Sequence, residues 1–178
     1  HKGKMIGSFG DAEYFSMHAS KFLNGFEASY VTTNNDEFAE QIKIARNAGI
    51  DENGEAKMLG MRAVLNDVHA AMAMASFDDV LDQIERNKVR YLKYKQLLKD
   101  VPGLDLVEYA EGDIRTYKNI MVGVNEKWPF DRDKTLEVLH AENMLSRAYY
   151  NPALHQKKCN YPFITGNVEN AIMLTEKY

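Results

Sequence analysis

Residues 12–35 read AEYFSMHASKFLNGFEASYVTTNN, and the parsing of this run decides the rest of the layout. Residues 12–18 alternate and are rich in aromatic side chains, as a β-strand requires. Tyr14, Ser16 and His18 fall on one face and Glu13, Phe15 and Met17 on the other. Asn24-Gly25 is a turn signal, and residues 27–33 form a second strand. Asn35 or Asp36 then caps a helix that runs through Asn47 and ends at Gly49. Ser16, His18 and Lys21 therefore crowd one end of a hairpin. Residues two apart on a strand face lie about 6–7 Å from each other, and a lysine in the following turn can swing back over that end.

Working outward, residues 50–65 carry Gly54 and Gly60, lack periodicity, and read as a loop of the length that tends to be functional. Residues 66–100 then place Val68, Met72, Ala75, Leu81, Ile84, Tyr91 and Leu98 at helical spacings. So long a helix suits a spine between two lobes or a dimer surface. Residues 104–109 and 118–124 read as strands, residues 131–142 as a helix, and residues 144–150 as a further short strand. The fold class is α/β, in three segments: a mixed-sheet part at 1–65, a linking helix at 66–100, and a small α/β domain with an antiparallel or mixed sheet at 101–178.

Composition narrows the function. A chain of 178 residues with net charge −4 and pI near 5.8 has no basic excess with which to neutralise a nucleic-acid backbone. Cys159 is the sole cysteine, which excludes an intrachain disulfide framework and fits the reducing cytoplasm. No apolar run reaches the roughly 18 residues of a membrane span. The five histidines show no HExxH or similar spacing, so no metal site is expected.

The chemistry of Ser16, His18 and Lys21 is more specific. A lysine attacks aldehydes only as a neutral amine, a state favoured by apolar walls such as Tyr14, Phe22 and Phe26 can supply. A serine hydroxyl with turn amides suits a phosphate, and an imidazole can stack on a planar ring or hydrogen-bond to it. Aldehyde, ring and phosphate together describe pyridoxal phosphate. Spacing alone favours the ordinary reading, a solvated lysine in a turn and a polar strand face.

The run GSFGDAEYFSMHASKFLNGFEASYVTTNNDEFAEQIKIARNAG closely resembles the stretch around the cofactor lysine of the DegT/StrS-type sugar-nucleotide aminotransferases. RAVLNDVHAAMAMASFD and NKVRYLKYKQLLKDVPGLDLVEY resemble that family's long helix and its continuation into the smaller domain. The resemblance implies the fold of type I pyridoxal-phosphate aminotransferases: the end of the large mixed-sheet domain, the linking helix and part of the small domain. It implies that Lys21 holds the cofactor covalently and then moves protons, that Ser16 holds the cofactor phosphate, and that His18 is the family's histidine of the same motif. A related branch replaces this lysine by histidine and performs dehydration, so Lys21 favours transamination.

ENMLSRAYYNPALHQKKCNYP is most like the branch that aminates C4 of a nucleotide-linked 4-keto-6-deoxyhexose. The resemblance therefore implies a dTDP-linked keto sugar as substrate, glutamate as amino donor, and a homodimer with shared active sites. Arg147, Tyr149 and His155 in this run offer a cation, a phenol and an imidazole to a nucleotide sugar or to the glutamate carboxylate; a surface loop is the ordinary alternative. His69 reads as a packed or interfacial histidine and His140 as a helix-surface residue.

Two stretches depart from the family pattern. Ala28-Ser29 stand where the family has Gly-Gly, and Arg62, Ala63 and Val64 stand where it has Asn-x-Lys/Arg. The family's asparagine reaches the cofactor phosphate of the neighbouring subunit, a contact that Arg62 can replace with charge. The family's aspartate partner for the pyridine nitrogen lies upstream of the lysine motif, beyond this chain. The expectation is a large fragment of an enzyme about twice as long, inactive in isolation. A non-catalytic partner subunit, or a sugar-nucleotide-binding module with Lys21 as a phosphate anchor, are the alternatives.

Overall fold

The computed structural model describes residues 1–149, 152–162 and 166–177. The chain divides into two units, residues 1–92 with 109–119, and residues 93–108 with 120–178.

In the first unit, β1 (Ala12–Ser16) pairs antiparallel with β2 (Ser29–Thr33), in a register that sets Ala12 opposite Thr33 and Ser16 opposite Ser29. Phe15 stacks on Tyr30 across the ladder, with ring centroids 4.7 Å apart. Helix α1 (Asp36–Arg46) follows, and its N-cap is Asn35, whose side chain accepts from the Phe38 amide. Acidic residues in its first turn and basic residues in its last complement the helix dipole. Residues 50–65 contain no helix or strand and are fastened by isolated bridges between Asn47 and Arg62 and between Ile50 and Ala56.

Where the sequence suggested one helix over 66–100, the structure has two, α2 (Asp67–Asp78) and α3 (Val80–Leu98). The break falls at Asp79, where consecutive aspartates oppose the dipole at the end of α2 but suit the start of α3. The Asp79 carbonyl accepts from Gln83, the first bond of the new helix. Among the described residues the buried apolar side chains are Met17 and Tyr91, both in this unit. Tyr91 sits against Tyr109 and Tyr117 with centroids 5.3 Å from each, so residues 109–119 return to the first unit through an aromatic cluster. Val68, Met74, Phe77 and Leu81 on α2 and α3 are all at least 66% exposed, and Met74 and Phe77 share one side of α2.

The second unit pairs β3 (Leu104–Leu106) antiparallel with β4 (Val122–Val124) and adds α4 (Arg132–Ala141), a 3-10 turn at Leu154–Gln156 and α5 (Glu169–Lys177). Both strands are shorter than residues 104–109 and 118–124. The strand expected over 144–150 is absent from described residues 144–149, which have no ladder partner there. Tyr150 and Asn151 lie outside the described residues. No helix among the described residues is long and apolar enough to cross a membrane.

Candidate functional site

The hairpin end that carries Lys21 is a loop closed on itself. The Met17 amide donates to the Ala28 carbonyl at 2.7 Å, and the Gly25 amide donates to the Met17 carbonyl at 2.8 Å. Met17 is buried beneath the loop. Inside this frame the Lys21 amide donates to the His18 carbonyl at 2.8 Å, a tight turn that projects the lysine from a fixed backbone.

Two distant segments fasten the same loop. From α2, the buried Ser76 hydroxyl accepts from the Asn24 amide at 3.2 Å. Gly25 packs so closely on α2 that an added Cβ would lie 3.0 Å from the His69 carbonyl oxygen and 3.2 Å from the Ala73 Cβ. From the 109–119 segment, the Lys118 ammonium donates to the Ser20 carbonyl, next to Lys21. Phe26 adopts φ 61°, a left-handed conformation that is a genuine outlier for a bulky residue and marks local strain.

The expected strand over 12–18 ends at Ser16, because the chain folds back there: the His18 amide donates to the Ser16 hydroxyl at 3.3 Å. Ser16 and His18 still meet, through this bond rather than through a shared strand face. The walls expected around Lys21 are not built from Tyr14 and Phe26, which are 70% and 45% exposed. Lys21 is exposed, and among the described residues its amine has no hydrogen-bond or ion-pair partner. The turn therefore offers a free primary amine, five residues after a serine hydroxyl whose own hydrogen is uncommitted, and these two groups suit the aldehyde and the phosphate of pyridoxal phosphate.

His18 is more constrained. Its Nδ1 lies 2.9 Å from the Ser20 hydroxyl and accepts from the Ser20 amide at 3.1 Å, while Nε2 lies 3.2 Å from the Glu27 carboxylate. His69 on α2 is half-buried with its ring 6.0 Å from that of Phe26, the packing role expected of it.

Arg62 lies in the same unit, but its observed partner is Asn47, to whose side-chain oxygen it donates at 2.9 Å. Neighbouring backbone bonds from Met61 to Ala45 and from Ala63 to Arg46 dock it on the end of α1. Arg147, Tyr149 and His155 belong to the second unit. Arg147 and Tyr149 are exposed, and His155 is half-buried in the 3-10 turn. His140, expected to be a plain surface residue, donates from Nε2 to the Ser146 carbonyl at 2.7 Å and so fixes the start of this run. A surface depression lined by Asp11, Ala12, Asn35, Glu37, Phe38 and Gln41 opens at the far end of β1 from Lys21 and takes no part in the site. The described residues contain no cluster of metal-ligating side chains.

Sequence reasoning missed Ser76, Lys118 and Glu27. No sequence pattern marks the first two, whereas Glu27 directly precedes the Ala28-Ser29 pair already noted.

Comparison with known proteins gives a consistent picture. The model of the DegT/DnrJ/EryC1/StrS aminotransferase family matches residues 1–178. The dTDP-4-amino-4,6-dideoxy-D-glucose transaminase of Shigella dysenteriae is 25% identical over 146 residues, 82% of this chain and 40% of that protein. The UDP-4-amino-4,6-dideoxy-N-acetyl-beta-L-altrosamine transaminase of Helicobacter pylori is 24% identical over 96% of this chain and 47% of its own length. Among solved structures, DesI in the presence of its TDP-sugar product superimposes with a TM-score of 0.82 at 32% identity, covering 92% of this chain and 43% of that one. The chain thus spans less than half the length of the relatives it matches.

Proposed function

Because this chain belongs to the DegT/DnrJ/EryC1/StrS aminotransferase family, whose cofactor is pyridoxal phosphate, we propose that the protein it forms transfers an amino group to a nucleotide-linked keto-deoxy sugar. The amine of glutamate passes to the sugar carbonyl carbon, whose oxygen leaves as water, and a second water supplies the keto oxygen of 2-oxoglutarate, so the products are 2-oxoglutarate and an amino sugar. A dTDP-linked 4-keto-6-deoxyhexose is the substrate favoured by the run at 144–155 and by the names and bound product of the relatives.

The observation that carries this reading is the Lys21 turn, which carries a free amine and follows the Ser16 hydroxyl by five residues on a backbone fastened by its own bonds, by α2 and by the 109–119 segment. When bound, pyridoxal phosphate supplies the electron sink that makes the donor Cα proton removable. Lys21 would hold the cofactor through its amine and, as a free amine, would serve as the base that moves the proton. Ser16 donates to the phosphate and His18 contacts the ring. Arg147, Tyr149 and His155 bind the nucleotide sugar or the donor carboxylate. The exposed apolar side chains Met74, Phe77 and Leu81 are covered in a homodimer whose subunits share active sites.

Arg62 favours a second reading. It replaces the family's phosphate-reaching asparagine and is engaged with Asn47, so a partner subunit that keeps the fold without turnover is the alternative.

The deciding measurement is the absorbance spectrum of the intact protein with added pyridoxal phosphate, beside Lys21→Ala. A visible band present in the parent and lost in the variant is the expected result. A parent without the band moves the non-catalytic reading to the front.

A further inference from the structure

Resting on the cofactor reading above, we propose that Glu27 is a positioning residue for His18, and that Glu27 and Ser20 together commit both imidazole nitrogens. His18 then meets a bound ring through its face, and takes no part in proton transfer.

The tautomer follows from one bond. A backbone N–H can only donate, and the Ser20 amide points at His18 Nδ1 from 3.1 Å. Nδ1 must therefore hold its lone pair, and the neutral ring carries its hydrogen on Nε2. That hydrogen has an acceptor in place, since Nε2 lies 3.2 Å from Glu27 Oε1. The Ser20 hydroxyl, 2.9 Å from Nδ1, reinforces the first contact. Each nitrogen is thus matched to a partner of the correct polarity.

The backbone explains why Glu27 is in reach. The bonds from Met17 to Ala28 and from Gly25 to Met17 bring residues 25–28 back alongside residues 16–18. The residue before Glu27 is Phe26, held at φ 61°; a conformation so unfavourable for a bulky side chain persists only where its surroundings impose it. Its neighbour Gly25 is pinned on α2. The ring itself stays reachable, because the His18 side chain keeps 49% of its surface. With its nitrogens occupied and its ring accessible, a face is what it has left to offer.

The test begins with the unmodified intact protein, labelled with 15N-histidine and free of cofactor, in a long-range proton–nitrogen correlation with His18 assigned through its own backbone. The expected spectrum shows Nδ1 without hydrogen and Nε2 with it. The opposite tautomer, or a mixture of the two, overturns the proposal. Glu27→Leu is then expected to shift the Nε2 signal and weaken pyridoxal phosphate binding roughly fivefold, the equivalent of one ordinary hydrogen bond. Glu27→Gln, whose amide oxygen still accepts, restores both. Unchanged signals and affinity in Glu27→Leu remove Glu27 from the role. The transaminase reading fails separately, if the parent gives no visible cofactor band while the His18 tautomer is as stated.

Discussion

The turn at residues 17–28 and the run at residues 144–155 carry two parts of the proposed chemistry, and the ties named here for each differ in span. The turn is closed by the Met17–Ala28 and Met17–Gly25 bonds, held from α2 by Ser76, and held from the 109–119 segment by Lys118. The run is tied by His140 to Ser146 at its start and by the Gln156 side chain to the Ala153 amide at its end, both contacts within 6 residues of sequence. A group that makes and breaks bonds loses rate with small displacements, whereas groups that bind a flexible nucleotide sugar tolerate adjustment. Long-range fastening at Lys21 and local fastening at Arg147 follow that division.

The largest contrast is in kinetics. Lys21→Ala should lower the transfer rate in the intact protein by about 10²–10⁴-fold or more, the range for loss of a positioned proton-transfer group. Arg147→Ala should leave kcat close to the parent value and raise KM for the sugar roughly tenfold, as expected for one hydrogen bond to a charged group. Steady-state rates over both substrates measure the two. A collapse of kcat in Arg147→Ala would erase the distinction.

Stability should divide in the same way. A Cβ at Gly25 meets the His69 carbonyl at 3.0 Å and the Ala73 Cβ at 3.2 Å, so Gly25→Ala makes the turn and α2 give way by a few tenths of an ångström. A loss of about 1–3 kcal/mol is expected, the usual cost of overpacking. A Cβ at Gly166, in the other unit, meets nothing within 4 Å, and Gly166→Ala should stay within about 0.5 kcal/mol of the parent. Urea midpoints of the two variants give the comparison. Ser76→Ala removes the acceptor of the Asn24 amide, in a part-buried setting, and should cost about 1 kcal/mol.

What was legible in the sequence was local. The hairpin, α1 and α4 are marked by alternation, by Asn35 and Asp131 as caps, and by charges that suit each helix end. Ser16, His18 and Lys21 could be picked out because they are close in sequence. Ser76 and Lys118 could not, since they reach the turn from 52 and 98 residues away, and a serine on a helix or a lysine in a loop carries no mark of its destination. The division of 66–100 at Asp79 was hidden by apolar periodicity that runs on across the break, although the paired aspartates offered a signal. Residues 144–149 alternate enough to suggest a strand, but a strand also needs a neighbour, which sequence pattern does not provide.

The smallest expected effect is the sharpest test of local fastening. His140 stands in the last turn of α4 and its Nε2 reaches the Ser146 carbonyl at 2.7 Å, next to Arg147. Water can replace an exposed hydrogen bond of this kind, so His140→Ala should lower stability by no more than about 1 kcal/mol. The freed run then samples more conformations, and part of that freedom is lost again when the sugar binds. The cost falls on binding, so KM for the sugar should rise about two- to fivefold while kcat stays within about twofold. His140→Gln retains a donor amide and should recover part of the loss. If kcat falls and KM does not, the run is positioning a reacting group, and the turn and the run are built for the same task after all.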